Sequence, residues 1–124
     1  MAKYNNPLGP DAALAWYRDN TSIVSACGSQ PTTQQQGTLA TYALGTLAYG
    51  TANWTIAGGD VAGGRKVTCA AATIVLAAAG TVNHFAFVGT TYLCGVATCA
   101  PTAVSASGTI IMAAFDFDEV GTIT

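Results

Sequence analysis

The sequence predicts an all-β fold: a single-domain sandwich or barrel of short, mainly antiparallel strands with an extended N-terminal arm. Two observations carry that reading. Short runs in which apolar and polar residues alternate recur along the chain, and Gly or Pro interrupts them at a spacing of roughly 8 to 12 residues. The 124 residues also suit one domain and contain no internal repeat. Residues 1–20 are assigned to the arm, with room for a short helix, and residues 21–124 to the β domain.

The arm begins with Asn5, Asn6, Pro7, Gly9 and Pro10, which favour extended or turn geometry and supply no apolar period. From Asp11, the run Ala-Ala-Leu-Ala-Trp-Tyr-Arg fits a two-turn helix capped by Asp11, with Leu14, Tyr17 and Arg18 at i, i+3 and i+4. It fits docking apparatus equally well. Residues 21–26 read as a short β-branched strand ended by Gly28 and Pro31. The polar tract 31–37, with three consecutive glutamines, has no apolar side chain to bury and reads as a surface loop.

Residues 38–44 alternate and stop at Gly45, and Gly50 marks a further turn. Residues 53–57 place Trp54 and Ile56 on one side of a strand and Asn53 and Thr55 on the other. A Gly-rich reversal follows at 58–66, where positive φ costs little. Its Gly59 and Gly64 have phosphate-loop spacing, but Arg65 stands where that motif needs Lys, Lys66 comes one residue late, and Val67 follows it in place of the hydroxyl residue. Residues 67–79 mix helix-favouring Ala triplets with Val67, Thr68, Thr73, Ile74 and Val75, and the flanking glycines favour strand.

Beyond Gly80, Val82, His84, Ala86 and Val88 alternate with Asn83, Phe85 and Phe87. Residues 90–93, 95–99 and 103–107 read as separate short strands divided by Gly95, Pro101 and Gly108. The last strand, 109–117, puts Ile111, Ala113, Phe115 and Phe117 on one face and Ile110, Met112, Ala114 and Asp116 on the other. With both faces apolar at first, its middle is expected to be covered on both sides.

Composition limits the function. Asp, Glu, Lys and Arg make up 8% of the chain and hydrophobic residues 51%, against about 25% charge in an ordinary soluble domain. The surface must therefore rely on Thr, Ser, Asn, Gln and Gly, or be covered by other subunits. A net charge of −2 argues against nucleic acid. The most apolar stretch, 67–79, is shorter than the ~20 residues of a membrane span, and the first residues hold no apolar signal core, so the expected compartment is a cytosol. There Cys27, Cys69, Cys94 and Cys99 are expected to be reduced and buried, with a Cys94–Cys99 loop disulfide as the alternative.

Candidate chemistry is sparse. His84 is the single histidine, and no nucleophile motif accompanies it. Asp116, Asp118 and Glu119 form one acidic cluster, in which strand alternation would put Asp116 and Asp118 on one face. Calcium lacks an EF-hand frame there, and a solvated acidic edge is the expected role. No catalytic residue, cofactor or metal is expected. Trp54, Tyr42 and Tyr49 read as core, whereas aromatics outside the periodic pattern read as interface anchors. The candidate interface is Tyr4, Pro7, Leu14, Trp16, Tyr17 and Arg18.

The stretch Gly80-Thr81-Val82-Asn83-His84-Phe85-Ala86-Phe87, preceded by Leu76-Ala-Ala-Ala and followed by Gly95-Val96-Ala97, resembles small Ala/Thr/Gly-rich virion proteins of tailed bacteriophages. The end, Gly121-Thr122-Ile123-Thr124, resembles their closing strand, and Leu39-Ala-Thr with Ala48-Tyr-Gly is compatible with their early strands. The likeness spans residues 38–124 and is compositional. The Pro/Asn start, Trp16-Tyr17 and the Gln tract depart from it. The resemblance implies a non-enzymatic virion protein made in the host cytoplasm, of the capsid decoration or cement type. Its expected partners are the major capsid protein and further copies of itself, as a trimer or dimer. The alternatives are a tail, head–tail or fibre protein with a receptor- or glycan-binding role, and an enzyme built on Asp116, Asp118 and His84.

Overall fold

The computed structural model describes residues 8–58 and 65–120, with the backbone alone at 8–11, 13 and 118–120. One helix, α1 (Leu8–Asn20), precedes nine strands: β1 (Ile23–Cys27), β2 (Ala43–Ala48), β3 (Trp54–Gly58), β4 (Arg65–Cys69), β5 (Ala72–Val75), β6 (Gly80–Val88), β7 (Leu93–Val104), β8 (Thr109–Met112) and β9 (Phe115–Val120). The strands form three antiparallel sheets, ordered β2-β1-β6-β7, β3-β4-β9 and β5-β8. The all-β expectation holds, and the sheets do not close into a barrel.

The first two sheets meet across a cluster of edge-on and tilted rings. Phe87 of β6 touches Trp54 of β3 and Phe115 and Phe117 of β9, with centroids 5.4, 6.0 and 5.0 Å apart. Tyr49, fully buried, packs edge-on against Trp54 and Phe87. Such pairs each add about 0.5–1.5 kcal/mol to the area they bury. Val24, Ala26, Val67, Ile74, Leu76, Val82 and Met112 complete the core.

The first helix starts at Leu8, so Asp11 lies inside its first turn and does not cap it. Pro10 is tolerated because the first turn leaves its N–H groups without helical partners. Leu14 is fully buried and Tyr17 packs edge-on against Phe117 at 5.0 Å. The helix is thus built into the domain along β3, β4 and β9. Residues 1–7 of the expected arm lie outside the described residues.

Several expected boundaries move, each for a physical reason. The polar tract is not simply solvated: Pro31 and Gly37 are buried, Ser25 Oγ donates to the Gly37 carbonyl at 2.7 Å, and Gln34 Nε2 donates to the Gly89 carbonyl at 2.9 Å. It straps the outer side of β1 and β6, where Cys27, Ala86 and Val88 form a second apolar cluster needing cover. Residues 38–42 are turns, and the strand runs 43–48 through Gly45. A Cβ there would meet the Val75 carbonyl oxygen at 2.5 Å, so this glycine permits a close approach of β5 and does not end β2. Residues 67–79 divide into β4 and β5 at Ala70–Ala71, because the two strands serve different sheets.

The three strands expected between 90 and 107 are largely one, β7. Pro101 fits because β7 is an edge strand, where a missing donor is tolerated. Gly95 fits because the Phe117 ring occupies the space of a side chain there. Conversely, the single strand expected at 109–117 breaks at Ala113–Ala114 into β8 and β9, which belong to different sheets. Alternation restarts at the break, so Ile110 and Met112 face inward with Phe115 and Phe117, and Ile111 is 70% exposed. Its middle is therefore not covered on both sides within the chain.

Candidate interaction surfaces

The candidate interface separates into two faces of α1. Leu14 points into the core and Tyr17 is half-buried against it, so both hold the helix in place and neither is an open anchor. Trp16, by contrast, is 41% exposed and tilts onto Tyr92 with centroids 5.3 Å apart. Arg18 pairs with Asp19 at 2.9 Å on the surface. Asn20 Nδ2 donates to the Trp16 carbonyl at 2.8 Å, fastening the last turn. Tyr4 and Pro7 lie outside the described residues.

Tyr92, 48% exposed, follows Gly89 in the β6–β7 connection, where the Gly89 N–H donates to its carbonyl at 2.8 Å. Trp16 and Tyr92 therefore form an exposed aromatic pair joining the helix to a turn of the first sheet. Periodicity puts Tyr92 within an expected strand at 90–93, whereas the structure leaves it in the connection between β6 and β7, before β7 opens at Leu93.

A second surface opens between β7 and β8. The narrower part of this cleft, about 330 Å³, is lined by Phe85, Ala97, Cys99, Met112 and Phe115 among others. The wider part, about 520 Å³, adds Thr102, Thr109 and Ile111. Strand β7 pairs only with β6 and β8 only with β5 among the described strands. Both bordering strands thus carry one unpaired backbone edge.

The titratable groups are dispersed. His84 Nδ1 lies 2.6 Å from Asn83 Oδ1 on β6, and His84 stands opposite Cys27 in the register with β1. Burial pushes the Cys27 thiol up to about 11, so at neutral pH it is a protonated thiol and not an activated nucleophile. Cys69 is pushed up to about 12 by burial, opposed by a hydrogen bond with Tyr49. Burial also raises Cys94 and Cys99. All four thiols are free. Cys94 and Cys99 sit on one extended strand, where five residues span about 16 Å, beyond disulfide reach.

Asp116, on β9, accepts from Lys66 Nζ and from Thr68 Oγ1, both at 3.2 Å. A bulge places Asp116 opposite Thr68 but Asp118 opposite Val67, so strict alternation does not carry from one aspartate to the other. His84 and Asp116 belong to different sheets. The described residues contain no group of three or more His, Cys, Asp or Glu able to hold a metal ion. A phosphate loop requires a helix after the glycines, whereas Arg65 opens strand β4, which pairs antiparallel with β3. Residues 59–64 themselves lie outside the described residues. No helix among the described residues is long and apolar enough to cross a membrane.

No protein-family model matches the chain, and no curated protein or solved structure is significantly similar to it.

Proposed function

We propose that this chain is a structural protein of a tailed-bacteriophage particle, a decoration or cement protein that binds across junctions between major capsid subunits. The observation that carries the reading is the exposed Trp16–Tyr92 pair, set on the β domain and bordered by Arg18 and Asp19. Aromatic anchors with a polar rim are the usual anatomy of a protein-binding hot spot. The resemblance of residues 38–124 to small virion proteins supplies the class of partner. Stabilisation follows by mass action, since a ligand of the assembled lattice that ignores free subunits favours assembly.

The test mixes the protein with empty capsids and measures co-sedimentation and the melting temperature of the shell. Removing residues 1–20 would remove Leu14 from the core, so the informative variants are Trp16→Ala with Tyr92→Ala, and a chain lacking residues 1–7. The full chain is expected to co-sediment and raise the melting temperature, and the aromatic variant to do neither. Failure of the full chain to bind any capsid surface refutes the proposal.

One observation favours a second reading. A half-exposed tyrosine in a turn, paired with a tryptophan, is also a surface on which sugar rings stack, as a tail or fibre protein with a glycan-binding role requires. Retention on a glycan array, abolished by Trp16→Ala, would select it.

A further inference from the structure

The cleft between β7 and β8 and the side chain beside it are complementary. Ile111 projects at the wider mouth and is 70% exposed, the most exposed large hydrophobic side chain among the described residues. Next to it lies a cavity of apolar lining with Phe85, Met112 and Phe115 at its narrow end. A knob and a hole on one face form the self-matching surface that a two-fold contact needs.

Charge selects the occupant. No Asp, Glu, Lys or Arg occurs between residues 67 and 115, so every residue lining the cleft is uncharged. Strands β1, β2, β5, β6, β7 and β8 carry no charged residue, whereas α1, β4 and β9 carry eight: Asp11, Arg18, Asp19, Arg65, Lys66, Asp116, Asp118 and Glu119. Placing the charged half of a neighbour on the cleft would strip water from charges without giving them partners. Placing like on like buries no charge on either side. Of the devices that protect free strand edges, β7 has Pro101 and β8 its length of four residues, but neither carries a charge that would repel an uncharged neighbour.

We propose that a second copy of this chain covers the β7–β8 cleft, in a two-fold contact in which the Ile111 side chain of each copy enters the cleft of the other. The contact goes beyond the capsid reading and is independent of it, because it involves neither Trp16 nor Tyr92 and is tested without capsids.

The experiment is sedimentation velocity over a concentration series on the full chain and on Ile111→Lys and Trp16→Ala. The unaltered protein is expected to dimerise. Ile111→Lys is expected to weaken the dimer at least ~100-fold, because each contact would then bury an unpaired ammonium. Circular dichroism and the melting temperature of dilute samples are expected to show this variant folded, as its exposed position predicts. Trp16→Ala is expected to dimerise normally. A protein that stays monomeric at every concentration overturns the proposal, and so does a dimer that survives Ile111→Lys in a folded variant.

Discussion

The two halves of this domain share one aromatic core and differ in what covers them. The half formed by α1, β3, β4 and β9 carries every charged residue of the described chain, while Lys3 and Asp60 lie outside it. The half formed by the β2-β1-β6-β7 and β5-β8 sheets faces outward with Thr73, Thr81, Thr98, Thr102 and Thr109, together with the apolar Val75 and Ile111. Hydroxyl groups wet that surface without repelling a neighbour. The difference teaches that low overall charge here is local: one half has ordinary ionic decoration and the other has none. If the charges of one half stay in water and the uncharged sheets of the other meet a second copy, stability should depend on burial in both halves and on charge in neither.

The largest effect is expected from the helix of the charged half. Leu14→Ala removes a fully buried side chain from between α1 and the β3-β4-β9 sheet and should cost about 2–5 kcal/mol in urea unfolding. A loss below ~1 kcal/mol would mean that α1 is a detachable arm after all, and the comparison would become one between a β domain and an appendage. In the uncharged half, Gly45→Ala forces a methyl group towards the Val75 carbonyl and the Leu76 backbone. Because backbone yields less than a flexible side chain, about 1–3 kcal/mol is expected. A neutral result would show that β5 and β2 are not held together as tightly as the geometry requires.

Buried thiols give each half a titration of its own, Cys27 on β1 and Cys69 on β4. In the unfolded chain a thiol loses its proton near pH 9, whereas in the folded protein burial delays this to about 11 for Cys27 and about 12 for Cys69. Between those limits the folded state binds more protons than the unfolded state, so stability falls as pH rises. Their contribution is fully present below pH 9. The slope is at most about 1.4 kcal/mol per pH unit for each thiol. Urea titrations at pH 8, 9 and 10 should show the loss, and Cys27→Ala and Cys69→Ala should each remove part of it. Equal slopes in the double variant and the parent would assign the alkaline loss to other groups.

What could be read from the sequence, and what could not, follows the same division. Local alternation is a strong signal where a strand has one wet face: Trp54 buried and Thr55 exposed in β3 match it residue by residue. It fails at irregularities that only tertiary pairing creates. The shift between Val82 and His84 puts Val82 in the main core with Phe85 and Phe87, although it shares sequence parity with His84. The break at Ala113–Ala114 inverts the faces of Ile110 and Ile111 in the same way. Gly45 and Gly95 looked like strand terminators, but both mark close approaches from elements distant in sequence. The candidate site was half legible, since Trp16 stands out as an aromatic beyond the strand pattern. Tyr92 and the β7–β8 cleft depend on which strands pair and which edges stay open, which no local window contains.

The smallest effect should come from the charges themselves. Lys66 Nζ and Asp116 Oδ2 are 3.2 Å apart, with side chains 22% and 42% exposed, so water screens much of their attraction. Exposed pairs of this kind are worth about 0.2–1 kcal/mol. Asp116→Asn keeps an oxygen for the Thr68 hydroxyl, which now donates to Oδ1, and removes only the charge. The expected cost is below ~1 kcal/mol and should shrink further as salt is raised towards 1 M, where screening acts within about 3 Å. A loss above ~2 kcal/mol, or one insensitive to salt, would make Asp116 a structural charge. The ionic half would then owe its fold to its charges, and the contrast between solvated charges and an uncharged contact face would lose its basis.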